Sequence, residues 1–166
     1  YYSTGSWPHL GREDDTQALN KAIETYMAAG ALMNTPVAHI DIPVEEQGMK
    51  SVKGYLHLPA GAGPFPIVIN SFGSDVTKED SFDLFYRELE PRGIGMLAVD
   101  MPGIGEAKQL SMTDGSDTVM EAALQLLRDA DYAEQGNIFV VGGSFGGNAA
   151  ARAFYRLEVA GVVSMC

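Results

Sequence analysis

Ile138-Phe139-Val140-Val141-Gly142-Gly143-Ser144-Phe145-Gly146-Gly147-Asn148 is the stretch on which the reading of this chain turns. Its four leading apolar residues, β-branched and aromatic, predict a short buried strand. The small residues that follow, Asn148 and Ala149 to Ala151, predict the opening of a helix. Between them stands Gly-x-Ser-x-Gly, residues 142–146. A strand that turns sharply into a helix at Ser144 strains the serine backbone and holds its Oγ clear of the sheet. Gly142 and Gly146, two before and two after, let strand and helix backbones pass closely. The backbone N–H of Phe145 would then point at the oxyanion of a tetrahedral intermediate. The same five residues would also suit a glycine-rich turn with a helix-capping serine, so the surrounding chain has to decide.

Working outward, two further strand–helix units precede this turn. Residues 66–70 are a continuous apolar run of the kind buried on both faces of a parallel sheet. A loop at 71–75 follows, then a helix from Asp80 or Ser81 carrying Phe82, Leu84, Phe85 and Leu89, ended by Pro91-Arg92-Gly93. Residues 95–100 are the next buried strand, and residues 116–130 a second amphipathic helix. After the serine turn come a helix to about Leu157 and a last strand at 159–165. Earlier, residues 37–44 and 52–58 alternate as an antiparallel pair turning at 45–48. An amphipathic helix from Asp14 or Asp15 to about Met33 comes before them, with Leu19, Ala22, Ile23, Tyr26 and Met27 on one face. Strands alternating with helices give an α/β fold with a mainly parallel, doubly wound sheet.

Composition narrows the function. The chain has 166 residues, 22 acidic against 11 basic, for a net charge of −11. No basic patch exists to meet phosphates, which argues against nucleic acid and against anionic membrane surfaces as partners. No run of about 18 apolar residues is present to span a bilayer. The N-terminus has no basic start, as a signal peptide would, and no initiator Met, so the chain could be an internal fragment. Cys166 is the only cysteine, so no internal disulfide forms and a cytoplasmic, reducing setting fits.

Ser144 as a nucleophile needs a base, and the base an orienting acid. Only 22 residues follow Ser144, and they contain neither Asp nor His. His9, His39 and His57 read as surface or packing residues and share no metal-ligand spacing with Cys, Asp or Glu, so no metal and no cofactor is expected. The second oxyanion donor is expected from the loop after residues 67–70, as the Phe72 N–H. Gly103-Ile104-Gly105 invites a dinucleotide reading, but its third glycine is missing and the helix opens too late. Asp100, at a strand's C-terminal end, reads as structural.

His57-Leu58-Pro59, Gly63-Pro64-Phe65-Pro66, Glu90-Pro91-Arg92-Gly93-Ile94, Val99-Asp100-Met101-Pro102-Gly103 and Ser144-Phe145-Gly146-Gly147-Asn148-Ala149 fall in one order. Together they resemble the esterases related to the fermentation/respiration switch protein, which have the α/β-hydrolase fold. The resemblance implies that residues 1–35 end an N-terminal helical cap and that 36–166 are the N-terminal part of the core, incomplete at the C-terminus. It also implies a protein of about twice this length or more, with the acid and histidine beyond Cys166. Some members of that family carry Arg at the nucleophile position; with Ser144 there, this chain resembles the competent branch. The expected function is hydrolysis of a small-molecule carboxylic ester through an acyl-enzyme. Cleavage of a carbon–carbon bond in a diketone or polyketide, as in related hydrolases, and a non-catalytic regulatory role stay open. The chain could also self-associate as a homo-oligomer.

Overall fold

The computed structural model describes residues 12–112 and 118–165. His9, Cys166 and the expected start of the second long helix at Ser116 lie outside them.

The alternating residues that follow helix α1 (Glu13–Gly30) form β1 (Ala38–Glu46) and β2 (Met49–His57). This antiparallel hairpin turns at Gln47-Gly48, both with positive φ, 50° and 82°. That backbone twist suits a two-residue hairpin loop. The apolar runs form β3 (Phe65–Ser71) and β4 (Gly95–Val99), and the stretch before the serine forms β5 (Ala133–Gly143). Helices α2 (Thr118–Arg128) and α3 (Phe145–Arg156) flank β5, and β6 (Gly161–Met165) closes the chain. The sheet order is β1-β2-β4-β3-β5-β6. Strands β4, β3, β5 and β6 are parallel, and β2 joins β4 antiparallel.

The two faces of β4 sort the core. Leu97 and Val99 pack with α2 and α3 through Val119, Ala123, Leu127, Ala150 and Ala153. Met96 and Ala98 face the other way, onto Tyr26 of α1, Tyr55 and Phe85. Helices therefore cover both faces, as a doubly wound sheet requires.

Two elements depart from the sequence reading. Strand β5 begins five residues before Ile138, through the polar run Glu134–Asn137. Pairing with the start of β3 decides this: Ala133 lies opposite Phe65, and the Phe65 N–H donates to the Tyr132 carbonyl at 2.8 Å. Within its apolar run Ile138 and Val140 are buried, as is Ala133 at the start of the strand, while Phe139 and Val141 are half-buried. The helix expected from Asp80 or Ser81 starts earlier, with a 3-10 turn at Lys78–Ser81, and is π-wound over Leu84–Leu89. The Glu90 N–H donates to the Phe85 carbonyl, five residues back. This wide turn sits beside an aromatic cluster in which Phe82–Tyr86 and Phe85–His57 ring centroids lie 4.5 and 4.6 Å apart.

His57 is fully buried, 2.8 Å from the Tyr26 hydroxyl through Nε2. Burial disfavours the imidazolium and pushes its pKa down to about 4. Unfolded, it takes a proton near pH 6.5. Its contribution to stability is therefore full above pH 6.5 and is lost as pH falls towards 4, up to about 3 kcal/mol. Urea unfolding at pH 7.5 and pH 5 should show this loss in the wild type and a flatter pH response in His57→Gln.

Candidate active site

The chain passes from β3 to β4 on one side of β3 and from β4 back to β5 on the other. The strand order thus reverses between β3 and β5, the place where an open α/β sheet leaves a crevice outside its carboxyl ends. Ser71, the last residue of β3, lies opposite Gly142 of β5. The loop leaving β3 and the turn leaving β5 are consequently neighbours.

Ser144 occupies that turn with φ 53° and ψ −124°, one of two non-glycine residues with positive φ among those described. Such a backbone costs about 1–3 kcal/mol and persists only where its surroundings enforce it. Three contacts do so. The Ser144 N–H donates to the Met165 carbonyl of β6 at 2.8 Å, and the Gly147 N–H donates to the Ser144 carbonyl at 2.9 Å. The third is the close passage of α3. A Cβ on Gly142 would stand 2.0 Å from the Gly146 carbonyl oxygen, and one on Gly146 would stand 2.3 and 2.4 Å from the Ser71 and Phe72 carbonyl oxygens. Only glycine fits at either position. Ser144→Gly should relieve the strain and raise stability by about 1 kcal/mol. Its urea midpoint should rise while any activity that uses the hydroxyl disappears.

The loop after β3 closes over the serine. A Cβ on Gly73 would lie 2.8 Å from Ser144 Cβ and 3.0 Å from its Oγ. The Phe72 ring lies against Gly143, 3.3 Å from where a Cβ would stand. Ser144 and Phe145 are exposed, Phe145 by 43%. Phe145 is the first residue of α3, so its N–H belongs to the helix's first turn, whose donors lack intrahelical acceptors. Ser144, Phe72, Phe145, Gly142 and Gly146 are thus brought together at one place. A hydroxyl on a strained turn, beside a helix N-terminus and a second backbone loop, is equipped to attack an electrophile and to receive the negative charge that develops.

The histidines are elsewhere. His57 is on β2, three strand positions from β5, or about 14 Å at the usual strand spacing. His39 is on β1, one strand further, with Nε2 2.8 Å from Glu106 Oε2. Neither serves Ser144 as a base. Two features around the loop at 71–75 and the start of the helix after it have no counterpart among the sequence-based expectations. Asp75 Oδ1 lies 3.4 Å from the point where a Gly73 Cβ would stand, so a carboxylate borders the serine. Lys78 is fully buried, its Nζ 2.9, 2.7 and 3.3 Å from Asp100, Glu106 and Glu79. Burial opposes its charge, but the three carboxylates outweigh that and raise its pKa. Beside His39 and Lys78, Glu106 is pushed down to about 2 despite its own burial. An uninterrupted hydrophilic run, Thr77-Lys78-Glu79-Asp80-Ser81, was the available signal. Among the described residues, no group of His, Cys, Asp and Glu could hold a metal ion, and no helix is long and apolar enough to cross a membrane.

Comparison with known proteins extends this picture. A family described as esterase FrsA-like matches residues 1–165. Esterase FrsA of Enterobacter sp. (strain 638) is 35% identical over 155 residues, 93% of this chain and 37% of that protein. The chain thus spans little more than a third of this relative's length. Among solved structures, 2,6-dihydroxy-pseudo-oxynicotine hydrolase superposes with a TM-score of 0.75 at 27% identity, covering 85% of this chain and 39% of that one. A thermophilic carboxylesterase cloned from a metagenomic library gives 0.59 at 20% identity, over 85% of this chain and 50% of that one. These neighbours and the sheet described above show the α/β-hydrolase fold.

Proposed function

Because this chain belongs to the FrsA-like esterase family, we propose that it carries the nucleophile and oxyanion donors of a serine esterase acting on small carboxylic esters. The observation that carries the proposal is the strained Ser144 backbone, held between Gly142, Gly146 and the loop at Gly73. In this reading Ser144 Oγ attacks the acyl carbonyl carbon and passes its proton to a histidine outside residues 12–165. The Phe145 and Phe72 N–H groups hold the oxyanion. When the tetrahedral intermediate collapses, the ester C–O bond breaks, the alcohol leaves with that proton, and the acyl group stays on Oγ. Water, deprotonated by the same histidine, then releases the acid and restores the serine. The Phe72 ring and the exposed Phe145 side chain flank the serine and suit an apolar acyl group. Residues 1–35 in this reading end a cap, and 36–166 begin the catalytic core, in a cytoplasmic enzyme.

The 2,6-dihydroxy-pseudo-oxynicotine hydrolase is not named for an ester, and in a second reading the same serine cleaves a carbon–carbon bond. A panel of short p-nitrophenyl esters and 1,3-diketones, run on the full polypeptide, decides between them. Faster turnover of the esters supports the first reading, and turnover of diketones alone the second.

A further inference from the structure

We propose that Lys78 is a positioning residue: its buried cage of carboxylates fixes the loop at 72–77 so that the Phe72 N–H meets the oxyanion formed at Ser144. The proposal rests on the serine-hydrolase reading of Ser144 and adds to it a part that does not touch substrate.

The loop is tethered at both ends. At its start, Ser71 is held in the β3–β5 ladder, and the close approach of Gly146 fixes the Ser71 and Phe72 carbonyls. At its end, the Lys78 N–H donates to Asp100 Oδ1 at 2.8 Å, and the Lys78 ammonium donates to Asp100 Oδ2 at 2.9 Å. Asp100 directly follows β4, the strand next to β3. The Glu106 N–H donates to the same Oδ2 at 3.0 Å. A Cβ on Gly105, at φ +49°, would stand 2.3 Å from that oxygen, so the segment after β4 wraps the carboxylate closely. The ammonium also lies 2.7 Å from Glu106 Oε2, 3.3 Å from Glu79 Oε1 and 4.9 Å from the centre of the Tyr55 ring. Tyr55 hydroxyl donates to Glu79 Oε1, and Asn70 Nδ2 donates to Ser81 Oγ, at 2.8 and 2.9 Å.

Lys78 is therefore the centre on which β4, the segment after β4 and the end of the oxyanion loop converge. A fully buried ammonium is costly, and apolar packing of the same volume commonly stabilises a fold as well or better. What a charge cage adds is geometry, because each donor has one fixed acceptor. Oxyanion donors act only when placed within a few tenths of an ångström before the reaction begins. The six residues between Ser71 and Lys78 leave the loop little slack once both ends are pinned.

The test uses the full polypeptide with two variants, Lys78→Met and Glu106→Gln, and Ser144→Ala as reference. The readouts are kcat and KM for a p-nitrophenyl ester and affinity for an alkyl trifluoromethyl ketone, which adds to a serine and places an oxyanion in the hole. Lys78→Met should lower kcat by about tenfold or more with KM changed less than about threefold, and ketone affinity should fall in parallel. Glu106→Gln keeps the Lys78–Asp100 pair and should fold; it should show the same pattern at about threefold. A purely structural lysine would lower the melting temperature and leave kcat and ketone affinity of the folded protein unchanged. That result in Lys78→Met, or in Glu106→Gln if Lys78→Met does not fold, overturns the proposal. If Ser144→Ala retains wild-type turnover, the serine-hydrolase reading itself has failed, a result distinct from failure at Lys78.

Discussion

Replacing Ser144 by alanine is expected to lower ester turnover by about ten-thousandfold or more, with the fold intact. The alanine keeps the Cβ and the strained φ of 53°, and the hydroxyl is not the group that holds the turn. The bonds that hold it are from the backbone N–H of residue 144 to Met165 and from the Gly147 N–H back to residue 144. The thermal midpoint should therefore stay close to that of the wild type. With the nucleophile gone, what remains is catalysis by binding and by the oxyanion donors, which act on water poorly positioned for attack. Steady-state hydrolysis of p-nitrophenyl acetate, corrected for the spontaneous rate, measures the ratio. Turnover within tenfold of wild type would assign the chemistry to another residue.

Gly146→Ala is expected to produce the second largest effect, and by a different route. Its Cβ would meet the Ser71 oxygen at 2.3 Å, the Phe72 oxygen at 2.4 Å and the Phe72 carbonyl carbon at 2.8 Å. All three are backbone atoms of a strand end and its loop, so no side chain can swing aside. Either α3 retreats from the sheet or the loop carrying the Phe72 N–H is displaced. Overpacking against backbone should cost on the order of 3 kcal/mol in a urea melt. A shift of about 1 Å between serine and oxyanion donor should lower kcat about a hundredfold. Gly136→Ala, on β5 with nothing within 4 Å of its would-be Cβ, provides the control and should change neither quantity appreciably. If Gly146→Ala matches that control, the close passage at the turn has no functional weight.

The strength of these two expectations reflects which parts of the molecule were readable from residues alone. The strand–turn–helix around Ser144 was legible because its signals are local: an apolar run, glycines at fixed offsets and small residues opening a helix. The same holds for β3 and β4, whose unbroken apolar runs are buried throughout from Ile67 to Asn70 and from Gly95 to Val99. The start of β5 was hidden because Glu134–Asn137 carry no strand pattern of their own, and their pairing is set by β3, some 70 residues earlier in the chain. The π turn at Leu84–Leu89 has no pattern distinct from an α-helix. The Lys78 cage joins residues from four separate segments, His39, Lys78 and Glu79, Asp100, and Glu106. Nothing local marks Asp100 as the acceptor shared by Lys78 and the Glu106 N–H, although its reading as structural fits those contacts. The histidine positions needed topology too. Only the strand order places His39 and His57 at the far side of the sheet from Ser144, and that separation is why the proposed mechanism takes its base from outside residues 12–165.

The most direct test of the central claim labels the full polypeptide with a fluorophosphonate, which phosphonylates an activated serine and mimics the tetrahedral intermediate, and locates the adduct by peptide mass mapping. One adduct per chain on Ser144, formed at the rate at which ester hydrolysis is lost, is the expected result. Full esterase activity after complete labelling, or loss of activity with the adduct on any other residue, would contradict it.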